Sequence, residues 1–319
     1  MVSSFFYYLF LGGPYDYLDN YRSYGSTPLY RFDNQHYSMP KGSAIYAKLE
    51  YLNPGGSIKD RLGSYLIKEG FAQGKINEKT TIIEPTAGNT GIGIALAALT
   101  YKLRTVFVVP EKFSLEKQQL MKALGAKIIH SPSEQGIIGA ISKSKKLAEE
   151  ISNSYLPLQF ENKDNPAAYY HTLGPEIFHE IKENIHSFVA GIGSGGTFAG
   201  TSTFLKEKYP DIRIIGVEPE GSVLNGGDPA PHEIEGIGVE FIPPFLSPLS
   251  INQIETISDV EGFNHTRQLA REQGLLVGSS SGAAFAAALR EIRRLPPGHR
   301  VVTIFPDAAD RYLSKNIYL

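Results

Sequence analysis

The sequence predicts an α/β fold with mainly parallel sheets, on two observations. Short apolar runs such as Thr81–Glu84 and Ser187–Gly191 alternate with longer segments of helical periodicity. Runs that are apolar at every position are typical of parallel strands, because such strands are buried on both faces. Glycine-rich loops separate several of these runs from the helices that follow, as in α/β folds that bind ligands at strand ends.

The first half of the chain repeats the strand-to-helix unit. The predicted strands are Ala44–Leu49, Thr81–Glu84, Thr105–Val109 and Ala126–Ile129. The predicted helices are Asp60–Ile67, Ile92–Leu99, Leu115–Leu124 and Gly136–Ile151.

The pattern restarts after Leu156–Phe160, and this predicts two open α/β lobes. We expect a smaller N-terminal lobe at residues 41–160 and a larger lobe at residues 161–319, with part of residues 1–40. The larger lobe is expected to contain a helix and two strands, then a helix and a final strand: Thr172–Ile181, Ser187–Gly191, Ile212–Val217, Ala283–Arg294 and Val301–Phe305.

Composition excludes several classes of chemistry. The chain has 319 residues, a formal net charge of -2 and no cysteine. The absence of cysteine excludes thiolate catalysis, disulfides and Cys-based metal sites. The chain has no excess of basic residues that would indicate binding to nucleic acid. The 8 histidines are scattered without the i, i+4 pair of a zinc helix, so we expect no metal site.

The segment Pro54–Arg61 places Lys59 where a helix begins. A lysine that reacts as an amine needs a partly desolvated, electropositive position, which makes its neutral form accessible. The helix N-terminus supplies part of that field, and Arg61 is expected to add more. The alternative is a solvated lysine in a loop before an amphipathic helix.

The loop Thr86–Gly91 lies between a predicted strand and helix, where backbone N–H groups face an anion. Its hydroxyl and amide side chains suit a carboxylate better than a triphosphate, because no Walker lysine follows its second glycine. The alternative is an ordinary helix cap formed by Thr and Asn.

The loop Gly191–Thr197 satisfies the Gly-x-Gly-x-x-Gly pattern, and Glu218 ends the next predicted strand. By pattern this is a dinucleotide fingerprint, which makes a nicotinamide oxidoreductase the rival interpretation. A loop of this kind holds any phosphate, so a smaller phosphorylated cofactor fits equally well.

The loop Gly278–Gly282 matches the Gly-x-Ser-x-Gly elbow of serine hydrolases. A hydrolase of that type places an acid and then a histidine after the serine. Here His299 precedes both Asp307 and Asp310, so the order argues against a serine hydrolase.

Pyridoxal phosphate chemistry on an amino acid requires four features that this chain offers. They are a reactive amine, a loop that binds a carboxylate, a loop that binds a phosphate, and a hydroxyl at a later helix N-terminus. In these motifs, and from about Thr27 to about Lys315, the chain resembles the fold-type-II pyridoxal phosphate enzymes of the cysteine synthase and cystathionine β-synthase family. The resemblance implies a tryptophan synthase β-like fold and is strongest with the compact bacterial type, whose first substrate is often O-acetylserine.

The resemblance also implies a role for each matched residue. Lys59 is expected to be the catalytic lysine that binds pyridoxal 5'-phosphate as a Schiff base. The other expected cofactor contacts are Asn89, Ser280 and the phosphate loop Gly193, Ser194, Gly195, Gly196 and Thr197. The expected substrate contacts are Thr86, Ala87, Gly88, Asn89, Thr90 and Gln159.

Four positions depart from the pattern of the sulfhydrylases. Ala87 replaces a usual serine, and Tyr169 replaces a histidine. Glu235 and Glu240 stand where sulfhydrylases carry Gln and Gly and where cystathionine β-synthases carry acids. An acid at the entrance could pair with the amino group of homocysteine, whereas sulfide offers nothing to pair with. The alternative is that both glutamates are solvated loop residues.

We therefore expect a β-replacement through an aminoacrylate. The first substrate is O-acetylserine or serine, the second is homocysteine, and the product is cystathionine, as in transsulfuration. The alternative second substrate is sulfide, which gives cysteine. A relative that holds the cofactor without turnover is a further alternative, favoured by Ala87 alone.

The resemblance implies a homodimer, and the absence of cysteine fits the cytoplasm. Partners other than small amino-acid substrates are not expected, and neither nucleic acid nor a membrane is. The aromatic run Phe5–Leu11 is too short to span a bilayer and has no assigned function.

Overall fold

The computed structural model describes residues 24–33, 37–86 and 88–319. Within them the chain forms two sheets. The strands are β1 (Leu29–Phe32), β2 (Ala44–Leu49), β3 (Thr81–Pro85), β4 (Arg104–Pro110), β5 (Lys127–Ser131), β6 (Ser154–Tyr155), β7 (Ser187–Gly191), β8 (Arg213–Pro219), β9 (Gln253–Ile257) and β10 (Arg300–Phe305).

Helices follow most of these strands and make the connections that parallel pairing needs. They are α1 (Lys59–Ala72), α2 (Asn89–Thr100), α3 (Leu115–Ala123), α4 (Gly136–Glu150), α5 (Asp164–His171), α6 (Leu173–Glu180), α7 (Gly196–Lys208), α8 (Asp259–Gln273) and α9 (Ser279–Arg294). Short 3-10 helices occur at Glu50–Leu52, Ser133–Gln135, Pro244–Leu246 and Ala309–Lys315.

The larger sheet has the strand order β1-β2-β10-β7-β8-β9, and only its β1–β2 pair is antiparallel among the described residues. Successive residues of β10 face opposite sides, as strand geometry requires. Val301 and Phe305 join one apolar core, while Val302 and Ile304 join another. The sheet is therefore buried on both faces, which explains its continuous apolar runs.

The smaller sheet has the order β5-β4-β3-β6, and all its pairs are parallel. Ile82 of β3 and Phe107 of β4 are fully buried in a third core, together with Met121 of α3. Two α/β units with mainly parallel sheets are thus present, which confirms the predicted fold class.

The structure corrects one sequence prediction. Residues 44–49 were placed in the smaller lobe, but β2 pairs in parallel with β10 in the larger sheet. The pairing partner lies far along the chain, so the local pattern carries no sign of it. The helix predicted at Thr172–Ile181 is confirmed as α6 (Leu173–Glu180), and α5 ends at His171, directly before it. The rest of the division into lobes stays a prediction.

Several sequence interpretations fall on residues that the structure does not describe, among them the aromatic run 5–11 and Ala87. Across the described part of the chain, no helix is long and apolar enough to cross a membrane. In the same residues, no group of three His, Asp or Glu side chains is arranged to hold a metal ion.

Helices α1 and α2 pack closely because two glycines face each other. A Cβ at Gly63 would overlap the carbonyl group of Gly93, and a Cβ at Gly93 would overlap the carbonyl of Lys59. Side chains of α1 enter two cores, with Leu62 in one and Ile67 in another. The position of Lys59 therefore depends on this backbone-to-backbone contact.

We predict that Gly63→Ala lowers the free energy of unfolding by about 3 kcal/mol, because the added methyl group must push two helix backbones apart. Urea denaturation measures the change. Ser64→Ala, on the same helix, is the control and should change stability by less than about 0.5 kcal/mol. Equal stability of the two variants would contradict the close contact.

Candidate active site

A cavity of about 720 Å³ lies where the carboxyl ends of both sheets meet. This is the usual ligand position in open α/β sheets. Gly196 and Glu240 are not part of the lining, and Ala87 is outside the described residues. The predicted site residues that line the cavity are Lys59, Thr86, Gly88, Asn89, Thr90, Gln159, Gly193, Ser194, Gly195, Thr197, Glu235 and Ser280.

Lys59 is the first residue of α1, as the sequence predicted. Its Nζ lies 3.5 Å from Ser194 Oγ, across the cavity floor. Burial lowers the pKa of Lys59 to about 8, and the carboxylates of Glu84 and Asp307 oppose that shift. The neutral amine is therefore accessible at mildly alkaline pH, as a nucleophilic lysine requires.

Arg61 does not supply the positive field that the sequence predicted. Its side chain is buried, its Nε lies 2.7 Å from Glu50 Oε2, and its Nη2 lies 2.7 Å from Glu176 Oε2. Two carboxylates compensate its charge, so Arg61 anchors α1 instead of acting on Lys59. The lowered pKa of Lys59 arises from burial.

The loop before α2 is held by Thr86. Its Oγ1 accepts hydrogen bonds from the N–H groups of Gly88 (3.0 Å) and Gly91 (3.1 Å). Gly88 has a φ of 146°, and a Cβ there would overlap the stem of Lys117. The first N–H groups of α2, including that of Asn89, have no acceptor within the helix. They lie at the cavity, where an anion can accept from them.

Gln159 is held at three atoms. Its backbone N–H donates to Glu84 Oε1 (3.1 Å), its carbonyl accepts from Asn165 Nδ2 (2.6 Å), and its Oε1 accepts from Thr90 Oγ1 (2.8 Å). The side-chain NH₂ is left as the donor that can face a ligand. Gln159 thus lies beside the α2 N-terminus as a second donor for an anion.

The glycine loop after β7 forms a cradle at the N-terminus of α7. Gly195 has a φ of 84°, and a Cβ at Gly193 would lie 2.5 Å from the carbonyl oxygen of Gly236. A side chain at either position would strain or fill the loop. The backbone can therefore approach a phosphate closely, with the positive end of the α7 dipole behind it.

Ser280 is the second residue of α9, is buried, and lines the cavity. Its neighbour Ser279 accepts a hydrogen bond at Oγ from the Glu235 N–H (3.3 Å). Helices α1, α2, α7 and α9 all begin at the cavity, so several positive helix ends favour an anionic ligand.

Only one of the two predicted acidic residues reaches the cavity. Glu235 Oε2 lies 2.7 Å from Lys117 Nζ, and its Oε1 lies 3.5 Å from Lys315 Nζ. Glu240 is exposed and is not part of the cavity lining, so its predicted place beside the entrance stays a prediction. Hydrogen bonds of Val239 with Ser222 and Val223 bury residue 239 and direct the next side chain outward.

Sequence reasoning gave no role to Asp307, which lies at the cavity after β10. Its Oδ2 accepts from Asn89 Nδ2 (2.7 Å) and from the Tyr312 hydroxyl. Burial raises the pKa of Asp307 above its ordinary value. Its position at the carboxyl end of a buried strand was a signal that could have identified it.

Lys117 and Asn165 were also missed. Lys117 is on α3, is buried, and has its Nζ 4.5 Å from the ring centroid of Tyr312. Asn165 is fully buried beneath the glycine cradle. Both come from helices whose sequences read as ordinary amphipathic or polar segments, so neither carried a local signal.

The residues present fit pyridoxal phosphate. A buried amine with a lowered pKa suits an aldehyde, and a glycine cradle at a helix N-terminus suits a phosphate. Among the described residues, the buried atoms Asn89 Oδ1 and Asp307 Oδ1 have no hydrogen-bond partner. Both oxygens can therefore form hydrogen bonds with a ligand in the cavity.

Comparison with known proteins gives a consistent set of relatives. The family described as pyridoxal-phosphate dependent enzyme matches residues 21–307. A cysteine synthase of Helicobacter pylori is 70% identical over 295 residues, 92% of this chain and 96% of that protein. An O-acetylserine dependent cystathionine β-synthase of Bacillus subtilis is 55% identical over 294 residues, 92% of this chain and 95% of that protein.

A solved structure agrees in fold. The crystal structure of an O-acetylserine dependent cystathionine β-synthase from Helicobacter pylori superposes with a TM-score of 0.92 and 69% identity, covering 94% of this chain and 98% of that one. The fold expected from the resemblance is thereby confirmed.

We predict that, in protein stripped of cofactor, the reaction of Lys59 with an amine-selective reagent accelerates as pH rises through about 8, because only the neutral amine is nucleophilic. Glu84→Gln should shift this midpoint to lower pH, because the negative charge of Glu84 raises the pKa of Lys59. Burial raises the pKa of Glu84 itself to about 8, so this charge is present mainly above that pH. Mass spectrometry of the peptide that contains Lys59 follows the labelling, with Lys59→Ala as the blank.

Glu161→Gln is the matched control, because the Glu161 carboxylate is exposed and bonds to Lys145 on the surface. Its midpoint should equal that of the unaltered protein. A midpoint that rises in Glu84→Gln would contradict the assigned charge effect.

Proposed function

Since the chain belongs to the pyridoxal-phosphate dependent enzymes of the cysteine synthase and cystathionine β-synthase type, we propose that it makes cystathionine from O-acetylserine and homocysteine. The relatives support a β-replacement at O-acetylserine. The names of these relatives include both cysteine synthase and cystathionine β-synthase, so they leave the thiol substrate open. We propose homocysteine as that thiol.

Bound pyridoxal phosphate supplies the electron sink that makes loss of a β substituent possible. The residues that would hold it are Lys59, Asn89, Ser280 and the cradle 193–197. Lys59 would attach to its aldehyde, and the cradle would hold its phosphate.

Lys59 moves the proton at the α-carbon of the substrate. Its amine lies within the cavity, and its lowered pKa leaves much of it neutral near pH 8. A neutral amine can accept that proton, which is the task of a general base.

The N-terminus of α2 and Gln159 bind the substrate carboxylate. The Thr90 hydroxyl occupies the oxygen of the Gln159 amide, which leaves its NH₂ to donate. Because the α2 loop belongs to the smaller sheet and the cradle to the larger one, closing them together would exclude water from the reacting atoms.

The charged pair at the cavity is the observation that carries the choice of thiol. Glu235 and Lys117 present opposite charges 2.7 Å apart in its lining. Homocysteine carries an ammonium and a carboxylate that could exchange into this pair, the ammonium on Glu235 and the carboxylate on Lys117, whereas sulfide has neither group. Opposite charges therefore favour an amino-acid thiol.

Sulfide remains the second candidate, with cysteine as product. The relative of 70% identity that bears the name cysteine synthase favours it. The two candidates differ in whether the Glu235 charge matters for the second substrate.

We predict that enzyme given O-acetylserine with equal homocysteine and sulfide forms mainly cystathionine, measured by chromatography of both products. Glu235→Gln should raise the KM for homocysteine about tenfold, as loss of about 1.4 kcal/mol implies, and leave sulfide unaffected. Glu240→Gln should change neither value, because Glu240 is exposed and does not line the cavity.

Mainly cysteine in the competition would overturn homocysteine as the preferred thiol. Equal losses with both thiols in Glu235→Gln would instead show that Glu235 supports the structure of the site.

The resemblance also favours a homodimer in the cytoplasm, and both stay proposals. Analytical ultracentrifugation of the holoenzyme tests the first of them.

A further inference from the structure

Asn165 is a buried side chain that the mechanism above does not use. It lies on α5 and is fully buried. Its Oδ1 has no hydrogen-bond partner among the described residues, and it lies against Gly196 at the start of α7. A buried amide that is only partly satisfied normally needs a reason.

The Asn165 amide joins two parts of the site. Its Nδ2 donates to the carbonyl of Gln159 (2.6 Å) and to Ser194 Oγ (3.1 Å). Gln159 belongs to the carboxylate contact and Ser194 to the phosphate cradle. Lys59 Nζ lies 3.5 Å from the same Ser194 Oγ. One side chain thus connects substrate contact, cradle and amine.

We infer that Asn165 is a positioning residue that couples cofactor binding in the cradle to substrate-carboxylate binding at Gln159. The part of this inference that concerns the substrate carboxylate rests on the proposed β-replacement, and the part that concerns cofactor binding does not. The two bonds from one NH₂ group fix the distance between Gln159 and Ser194, so a shift of the cradle displaces the carboxylate donor.

The Gln159 carbonyl requires a side-chain donor at this position. An aspartate would place an acceptor opposite that carbonyl, which is unfavourable, whereas the Ser194 hydroxyl could turn and donate to the carboxylate. Aspartate would therefore break the link between Gln159 and Ser194. An alanine would leave the Gln159 carbonyl without this donor, and Ser194 Oγ would keep only its 3.5 Å contact with Lys59 Nζ. A buried oxygen that loses its donor costs more than the bond contributes. The small volume beside Gly196 leaves no room for a longer side chain.

The test uses purified protein stripped of cofactor and titrated with pyridoxal phosphate. Absorbance of the bound chromophore gives the dissociation constant, and steady-state kinetics of the reloaded enzyme give the KM for O-acetylserine. We expect Asn165→Ala and Asn165→Asp each to raise both values about tenfold or more. Gln159→Ala should raise the KM and leave the cofactor dissociation constant within about twofold.

Asn162→Ala is the matched control, because the Asn162 side chain bonds to the Tyr155 hydroxyl and the Asp164 N–H and does not line the cavity. It should change neither value. Melting temperatures of the cofactor-free variants identify a folding defect, and Asn165→Asp keeps the shape of the side chain if Asn165→Ala is unstable.

The inference is overturned if both Asn165 variants change the two values no more than Asn162→Ala does, or change only one. Failure of the proposed function is a separate result, since unaltered enzyme would then show no β-replacement. In that case the spectral shift of the chromophore on adding O-acetylserine replaces the KM as the measure of carboxylate binding.

Discussion

A buried ion network determines where the reactive lysine stands. Arg61, two residues after Lys59, lies between Glu50 and Glu176 with almost no exposure to solvent. Lys48 of β2 extends the network with its Nζ 2.7 Å from Glu180 and 3.2 Å from Glu176. Removing Arg61 or Glu50, whose side chains are both buried, would leave the other charge uncompensated, which costs about 3–5 kcal/mol. The first turn of α1 is therefore tied to the 3-10 helix Glu50–Leu52 before it and to α6 from the other half of the chain.

The sequence predicted most of the fold and the centre of the site because those features have local signals. Apolar runs identified the buried strands, and the glycine loops identified the helix N-termini that meet at the cavity. Lys59, Gln159 and Ser280 followed from motifs of neighbouring residues. Each of these signals lies within about ten residues of the feature that it predicts.

What the sequence did not predict depends on partners that are distant along the chain. Arg61 was given an electrostatic role because the 115 residues that separate it from Glu176 hide their contact. Glu240 looked equivalent to Glu235, and only the packing of Val239 distinguishes them. The pairing of β2 with β10 and the links made by Asn165 likewise exist only in three dimensions.

The path of the chain between the two sheets has a mechanical consequence. Among the described residues the chain leaves the larger sheet after β2 and returns to it after β6. The first crossing carries Lys59 and the second carries Gln159. A rotation of one sheet relative to the other must pivot on these two segments, so its hinge axis passes close to both residues. Opening and closing would then sweep the outer walls of the cavity while the amine and the carboxylate donor stay nearly stationary.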